Sequence, residues 1–197
     1  LLIYLLEVPA LMDILAGYAT RSIYAQVGST REAILTNAYN LPFLSALIAL
    51  ALRLKTFQLS QFAAAPVSIA SVIAALTLLI ALLAQLKINP VSIPNAEQEI
   101  VAGIHVEYNG LPLALFELTH ALEASALVGL IACLFIGAAS SIYLKLLILF
   151  LVSMAVIFLM NLISAGTARL KVQHAFRFYW TWGIAASVIV FIAALVL

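Results

Sequence analysis

The chain has 197 residues, of which 66% are hydrophobic and 9% charged, with a net charge of +1. Soluble domains carry roughly 25% charged residues, so too little polar surface remains to cover a water-soluble globule, and lipid must cover it instead. The small, scattered positive charge excludes a nucleic-acid partner, and a single cysteine, Cys133, excludes a disulfide framework.

A spanning helix needs about 20 mostly apolar residues. Residues 1–18 are nearly that long, interrupted by Glu7, Pro9 and Asp13, with Pro9 expected to kink or bound the helix. Residues 19–39, with Arg21, Arg31 and Glu32, read as a polar connection. Residues 40–54 form a short span ending at Arg53 and Lys55, and the uncharged run 66–86 is the clearest helix. After a polar loop, 87–110, come apolar runs at 111–137 and 142–164, separated by a tight turn at 138–141. A basic segment, 165–178, precedes a last span at 179–197. The expected fold is therefore all-α: one polytopic transmembrane bundle over residues 1–197, with about six helices. The first residue is not Met, and the chain is expected to be part of a longer protein lacking its N-terminal portion here.

Lys and Arg divide unevenly between the two sides of such a bundle. Arg21, Arg31, Lys87, Arg169, Lys171 and Arg177 fall on one side, against Arg53, Lys55 and Lys145 on the other, which makes the first side cytoplasmic. That side also carries Glu32, Glu97, Glu99 and Glu107, as a docking surface would. Within the loop, Ser92 and Pro94 resemble an N-cap and first-turn proline. Ile100, Val101 and Ile104 then share the stripe of a short interfacial helix.

Glu117, His120 and Glu123 recur every three residues in the span at 111–137, which keeps them on one helix face. Ionisable residues within a span face a bundle interior or a wet cavity. Alternating carboxylates and imidazoles can pass protons along, or they can hydrogen-bond neighbouring helices as structure alone. Glu7 and Asp13 are six apart, about 240° around a helix, so they form no site by themselves. Asp13 is a candidate for the polar interior. The cluster Arg169, Lys171 and Arg177 around Gln173 and His174 suits lipid head groups or a docked hydrophilic partner. His105 and His174 are isolated loop histidines without metal-ligand spacing. No CxxC, GxGxxG, P-loop or nucleophile elbow is present.

The segment PNAEQEIVAGIHVEYNG, from Pro94 to Gly110, resembles the PEAEQEL-x-x-G-x-x-x-EYSG loop of the H-subunit family of respiratory complex I. That family includes the equivalent membrane subunit of energy-converting, membrane-bound hydrogenases of the group 4 nickel–iron type. Gly17-Tyr18-Ala19-Thr20, followed by Gly28-Ser29-Thr30-Arg31-Glu32-Ala33, resembles the family's third-helix exit and G-A-x-R-E-A loop. Ala168-Arg169-Leu170-Lys171-Val172-Gln173-His174 is similar to its P-R-x-R-x-D-Q loop. The resemblance covers the whole chain as the third to eighth helices of an eight-helix protein.

It implies a membrane anchor joining a hydrophilic redox arm to antiporter-like membrane subunits, with no redox centre of its own. Iron–sulfur clusters and a nickel–iron centre would reside in hydrophilic hydrogenase-like and iron–sulfur partners. By the match, Glu97, Glu99 and Glu107 are acidic-loop coupling positions, and Arg31 and Arg169 are paired basic positions, with Glu32 and Lys171 beside them. The quinone-linked branch has carboxylates where this chain has Asn40, Gln85 and Ser92, and a glutamate at the position of His120. The Arg31-Glu32 pair is closer to the hydrogenase branch. The expectation is a coupling subunit of a ferredoxin-linked, ion-translocating hydrogenase-type complex. The alternatives are a quinone-site subunit, a related ferredoxin-driven reductase, or, from another class, a transporter acting alone, although no internal repeat of the transporter kind is found.

Overall fold

The computed structural model describes residues 2–95, 97–101, 103–137 and 141–196, and gives only the backbone for Leu2, Glu97, Gln98 and Val196. Among these residues it is helical throughout, without strands: α1 (Leu2–Ala19), α2 (Ile23–Leu54), α3 (Leu59–Ala64), α4 (Ile69–Gln85), α5 (Glu97–Ile100), α6 (Leu111–Cys133), α7 (Ile142–Gly166), α8 (Val172–Phe178) and α9 (Ile184–Val196). A 3₁₀ turn, Gly103–Val106, follows α5, and a π-helical segment, Tyr179–Gly183, joins α8 to α9. Four stretches are long and apolar enough to cross a membrane: Ile23–Leu54, Leu111–Cys133, Ile142–Gly166 and Val172–Leu195. The 18-residue α1 and 17-residue α4 stand at the other two expected spans, giving a multi-pass membrane bundle.

The principal correction concerns α2. The stretch read as a polar connection, 19–39, is mostly helix, and α2 runs 32 residues without interruption. At 1.5 Å per residue that is roughly 48 Å, against about 30 Å of hydrocarbon, so part of α2 stands beyond the apolar layer. The polar residues misled because the buried ones lie between them: Ala25, Gly28, Ser29, Glu32, Leu35, Ala38 and Tyr39 recur at helical spacing and face inward. α2 is the central post, packed against α1, α4 and α9. Its Tyr39, Phe43, Ala46 and Ala49 are fully buried, and Leu78, Ala81 and Leu82 of α4 complete the core. α1 likewise continues through Pro9.

Local chemistry sets the ends. α4 opens with a reciprocal capping box between Ser68 and Ser71, and α6 starts with Pro112 in its first turn. Pro42 of α2 lies against Gly183 in the π segment, where a Cβ would stand 3.2 Å from the proline ring. Close by, the Ser45 hydroxyl donates to Ser187 Oγ at 2.7 Å. α7 is different: of its 25 residues, Val156 and Met160 are the buried ones.

The acidic loop also departs from expectation. The interfacial helix shrinks to four residues, because Val101 takes a left-handed conformation with φ of 51° and splits the stripe. Ile100 and Ile104 turn inward while Val101 is exposed. Ser92 caps nothing; its hydroxyl donates to Asn89 Oδ1 and accepts from Arg169 Nε at 3.1 Å. The turn expected at 138–141 lies largely outside the described residues.

The loop rests directly on α2. Gly103 has φ of +60°, and a Cβ there would come within 2.5 Å of the Pro94 carbonyl oxygen. Gly103→Ala is therefore expected to lower stability by about 2 kcal/mol or more. Gly129→Ala in α6, where nothing lies within 4 Å, should be neutral or gain up to about 1 kcal/mol. Thermal midpoints in detergent compare the two.

Candidate functional site: two polar cavities beside the acidic loop

The inner cavity, about 380 Å³, is bounded by α1, the end of α4, the acidic loop and α6. α6 presents Glu117, His120 and Glu123 to it, α1 presents Asp13, the loop presents Asn95 and His105, and the turn after α4 presents Lys87. The expected row of three thus lines one space, together with Asp13. Burial increases along it: Glu117 is exposed, His120 intermediate and Glu123 buried. Glu123 accepts a hydrogen bond from Gln85 Nε2 at 3.1 Å, and the same amide reaches the Leu6 carbonyl at 3.2 Å. Glu7 accepts from Asn40 Nδ2 at 2.9 Å.

Lys87 dominates the cavity's electrostatics. Its ammonium bonds Asp13 Oδ2 and lies 3.5 Å from Glu32 Oε1. It is buried, as is Glu32, whose two carboxylate oxygens have no hydrogen-bond partner among the described residues. Burial alone would push the Lys87 pKa down, but Glu32 and Asp13 more than offset this and hold it above the ordinary lysine value. Its backbone is left-handed, with φ of 53°, a conformation costing a non-glycine residue about 1–2 kcal/mol. Lys87 counts in the sequence as one more loop charge, and nothing in its neighbours reveals that it turns inward to two carboxylates distant in the chain. Its left-handed backbone is that of a helix end, the Ile88 amide donating to the Leu83 carbonyl at 2.9 Å. Glu32 is corrected with it: fully buried and facing Lys87, its carboxylate is no part of an exposed docking surface.

The second cavity, about 410 Å³, is bounded by α2, the acidic loop and the basic segment, and brings Arg31, Glu99, Arg169, Lys171 and His174 together. Arg31 Nη1 bonds Glu99 Oε2 at 2.6 Å, with the glutamate half-exposed. The Leu170 amide donates to the Pro90 carbonyl at 2.8 Å and pins the basic segment beneath the acidic loop. Glu107 is exposed nearby in sequence but lines neither cavity. The side chain of Glu97 lies outside the described residues.

His105, an isolated loop histidine by sequence, is half-buried with its ring edge-on to Phe116 at 5.8 Å. Tyr108 packs on the same ring and donates to the Ala16 carbonyl at 2.9 Å, tying loop to α1. Burial, then the positive charge of Lys87, lowers the His105 pKa below the ordinary histidine value. A histidine depressed in the folded state leaves stability intact above the unfolded pKa of about 6.5 and lowers it as pH falls from there towards the folded value. His105→Gln is therefore expected to flatten the acid-side fall of the thermal midpoint below about pH 6.5. A fall identical to that of the parent protein would show that His105 is not its source.

No group of three or more His, Cys, Asp or Glu among the described residues is placed to hold a metal ion. The sequence model of the NADH dehydrogenase family matches residues 1–195. The NADH-quinone oxidoreductase H subunit of Geobacillus kaustophilus is 34% identical over 125 residues, covering 61% of this chain and 38% of the relative. That of Brevibacillus brevis is 28% identical over 177 residues, covering 85% and 53%. The chain thus spans about half, or less, of the length of these curated relatives. Among solved structures, a chain of the membrane-bound sulfane sulfur reductase, an archaeal respiratory membrane complex, superposes with a TM-score of 0.88 at 25% identity, covering 98% of this chain and 67% of that one. The protein belongs to the NADH dehydrogenase family, as a membrane component of the H-subunit type.

Proposed function

We propose that this chain is the membrane-anchor and ion-coupling subunit of a ferredoxin-linked, ion-translocating complex of the hydrogenase type. It would join a hydrophilic redox arm to antiporter-like membrane subunits. The observation that carries this reading is the pair of polar cavities that share the acidic loop as a wall, one lined by Arg31, Glu99, Arg169 and Lys171, the other by Asp13, Lys87, Glu117, His120 and Glu123. The first has the charge to dock a partner. The second has the titratable groups to take up and release an ion. Electron transfer in the docked arm would change the charge above the first and bias protonation in the second. Iron–sulfur clusters and a nickel–iron centre would belong to partner proteins.

The choice of branch rests on the amides. Gln85 and Asn40 stand where the quinone-linked branch has carboxylates, and here each hydrogen-bonds a glutamate on a neighbouring helix. The likeness to a sulfane sulfur reductase chain supports a respiratory complex whose acceptor is set by a partner. The second reading is quinone reduction, favoured by the names of the curated relatives.

Two measurements test this. Extraction in mild detergent is expected to yield the chain with iron–sulfur polypeptides and a nickel-containing large polypeptide, oxidising reduced ferredoxin. Electron transfer to added quinone in place of proton reduction would decide for the second reading, and a chain that purifies alone would favour a lone transporter. In the complex sealed into vesicles, Glu123→Gln removes the most buried titratable member of the row, so ions moved per electron should fall by about tenfold or more. Parallel pH and sodium readouts identify the ion.

A further inference from the structure

We propose that Lys87 is a movable latch between the two cavities: its ammonium closes on Asp13 and Glu32, and opens toward the Glu123 end of the inner cavity. This rests on the coupling role above and deepens it by naming the connecting residues. Arg31 and Glu32 are consecutive in α2, about 100° apart around the helix, so they face different sides. Arg31 reaches out to Glu99 at 2.6 Å, on the wall of the docking cavity. Glu32 reaches in to Lys87 at 3.5 Å. Glu99, Arg31, Glu32, Lys87 and Asp13 are therefore a continuous row of alternating charge, carried through the bundle by one peptide bond of α2.

The row has one loose joint. The Lys87 ammonium is in close contact with Asp13, but its distance to Glu32 exceeds a good charge-assisted hydrogen bond. Neither Glu32 oxygen has another hydrogen-bond partner among the described residues, although the residue is fully buried. A buried carboxylate keeps its charge while a cation faces it and takes a proton when the cation leaves. Lys87 also lines the inner cavity, as His120 and Glu123 do, which gives its four-carbon stem somewhere to go. An anionic partner group drawing Arg31 away from Glu99 would shift the start of this row. When the ammonium swings to Glu123, a proton enters the Asp13–Glu32 pair from cavity water, and Glu123, now facing a cation, releases one. On the return stroke the Asp13–Glu32 pair releases its proton and Glu123 takes one up, so protons balance at each step, and an ion is moved on when release and uptake open to different sides.

The test uses the whole complex in sealed vesicles, driven by its own electron donor, reading ions moved per electron. Lys87→Met is expected to lower that ratio by about tenfold, with Lys87→Arg restoring a substantial part of it because the charge is kept. An unchanged ratio in Lys87→Met overturns the latch. Glu123→Gln run in parallel separates the levels: uncoupling by that change alone sinks the latch and leaves the coupling role, whereas full coupling in both sinks the two together. Should Lys87→Met fail to assemble, Glu32→Gln keeps the shape and the Lys87–Asp13 contact, and normal coupling there overturns the latch equally. Redox-difference infrared spectra of the unmodified complex give a reading free of variants. A carboxyl protonation band that appears on reduction is expected, and its absence counts against the latch.

Discussion

A lysine ammonium closed between two carboxylates inside an apolar bundle is the contact on which the polar half of this protein depends. Asp13 belongs to α1, Glu32 to α2 and Lys87 to the turn after α4. Desolvating three charges is expensive, and removing one partner from such a set leaves a buried charge at a cost of about 3–5 kcal/mol. The arrangement is therefore poor as a source of stability and strict as a specification. It fixes how three segments meet, with Lys87 left-handed at the end of α4, where the Ile88 amide donates to the Leu83 carbonyl. Asp13 and Lys87 of that contact form part of the wall of the inner cavity.

Around it, the polar interior is built from carboxylate–amide pairs: Glu123 with Gln85, Glu7 with Asn40. An amide donates to a carboxylate without adding charge, so each pair brings one acid into the bundle rather than two. Two facing carboxylates would have to share a proton or repel. Replacing one of each with an amide separates the acids in space while keeping a hydrogen-bonded route. One oxygen each of Glu7, Asn40 and Gln85 has no hydrogen-bond partner among the described residues, which leaves places where water can donate.

The apolar helices and the loop motif were legible in the sequence because both are local. Residues 66–86 and 142–164 announce themselves by composition, and α4 and α7 lie there. The Glu117, His120 and Glu123 row follows from helical spacing, and all three line one cavity. What could not be read was long-range. Residues 23–39 look polar because Gln26, Ser29, Thr30, Arg31, Glu32, Thr36 and Asn37 interrupt the apolar pattern, and only packing against α1, α4 and α9 makes them part of a long helix. Lys87 and Glu32 lie far apart in the chain, on different elements, and no local pattern pairs them. Val101 is a β-branched residue at positive φ, which propensity argues against, so the break in the interfacial stripe was hidden as well.

The contact between the acidic loop and α2 has a mechanical meaning. At Gly28 a Cβ would stand 3.2 Å from Gly103 Cα and 3.3 Å from the Pro94 carbonyl, so two backbones meet there with no side chain between them. Side chains are the compliant part of a protein: they change rotamer and absorb displacement. Where glycine removes them, the joint has almost no slack. The position of the loop is thereby tied to that of α2 one turn before Arg31 and Glu32.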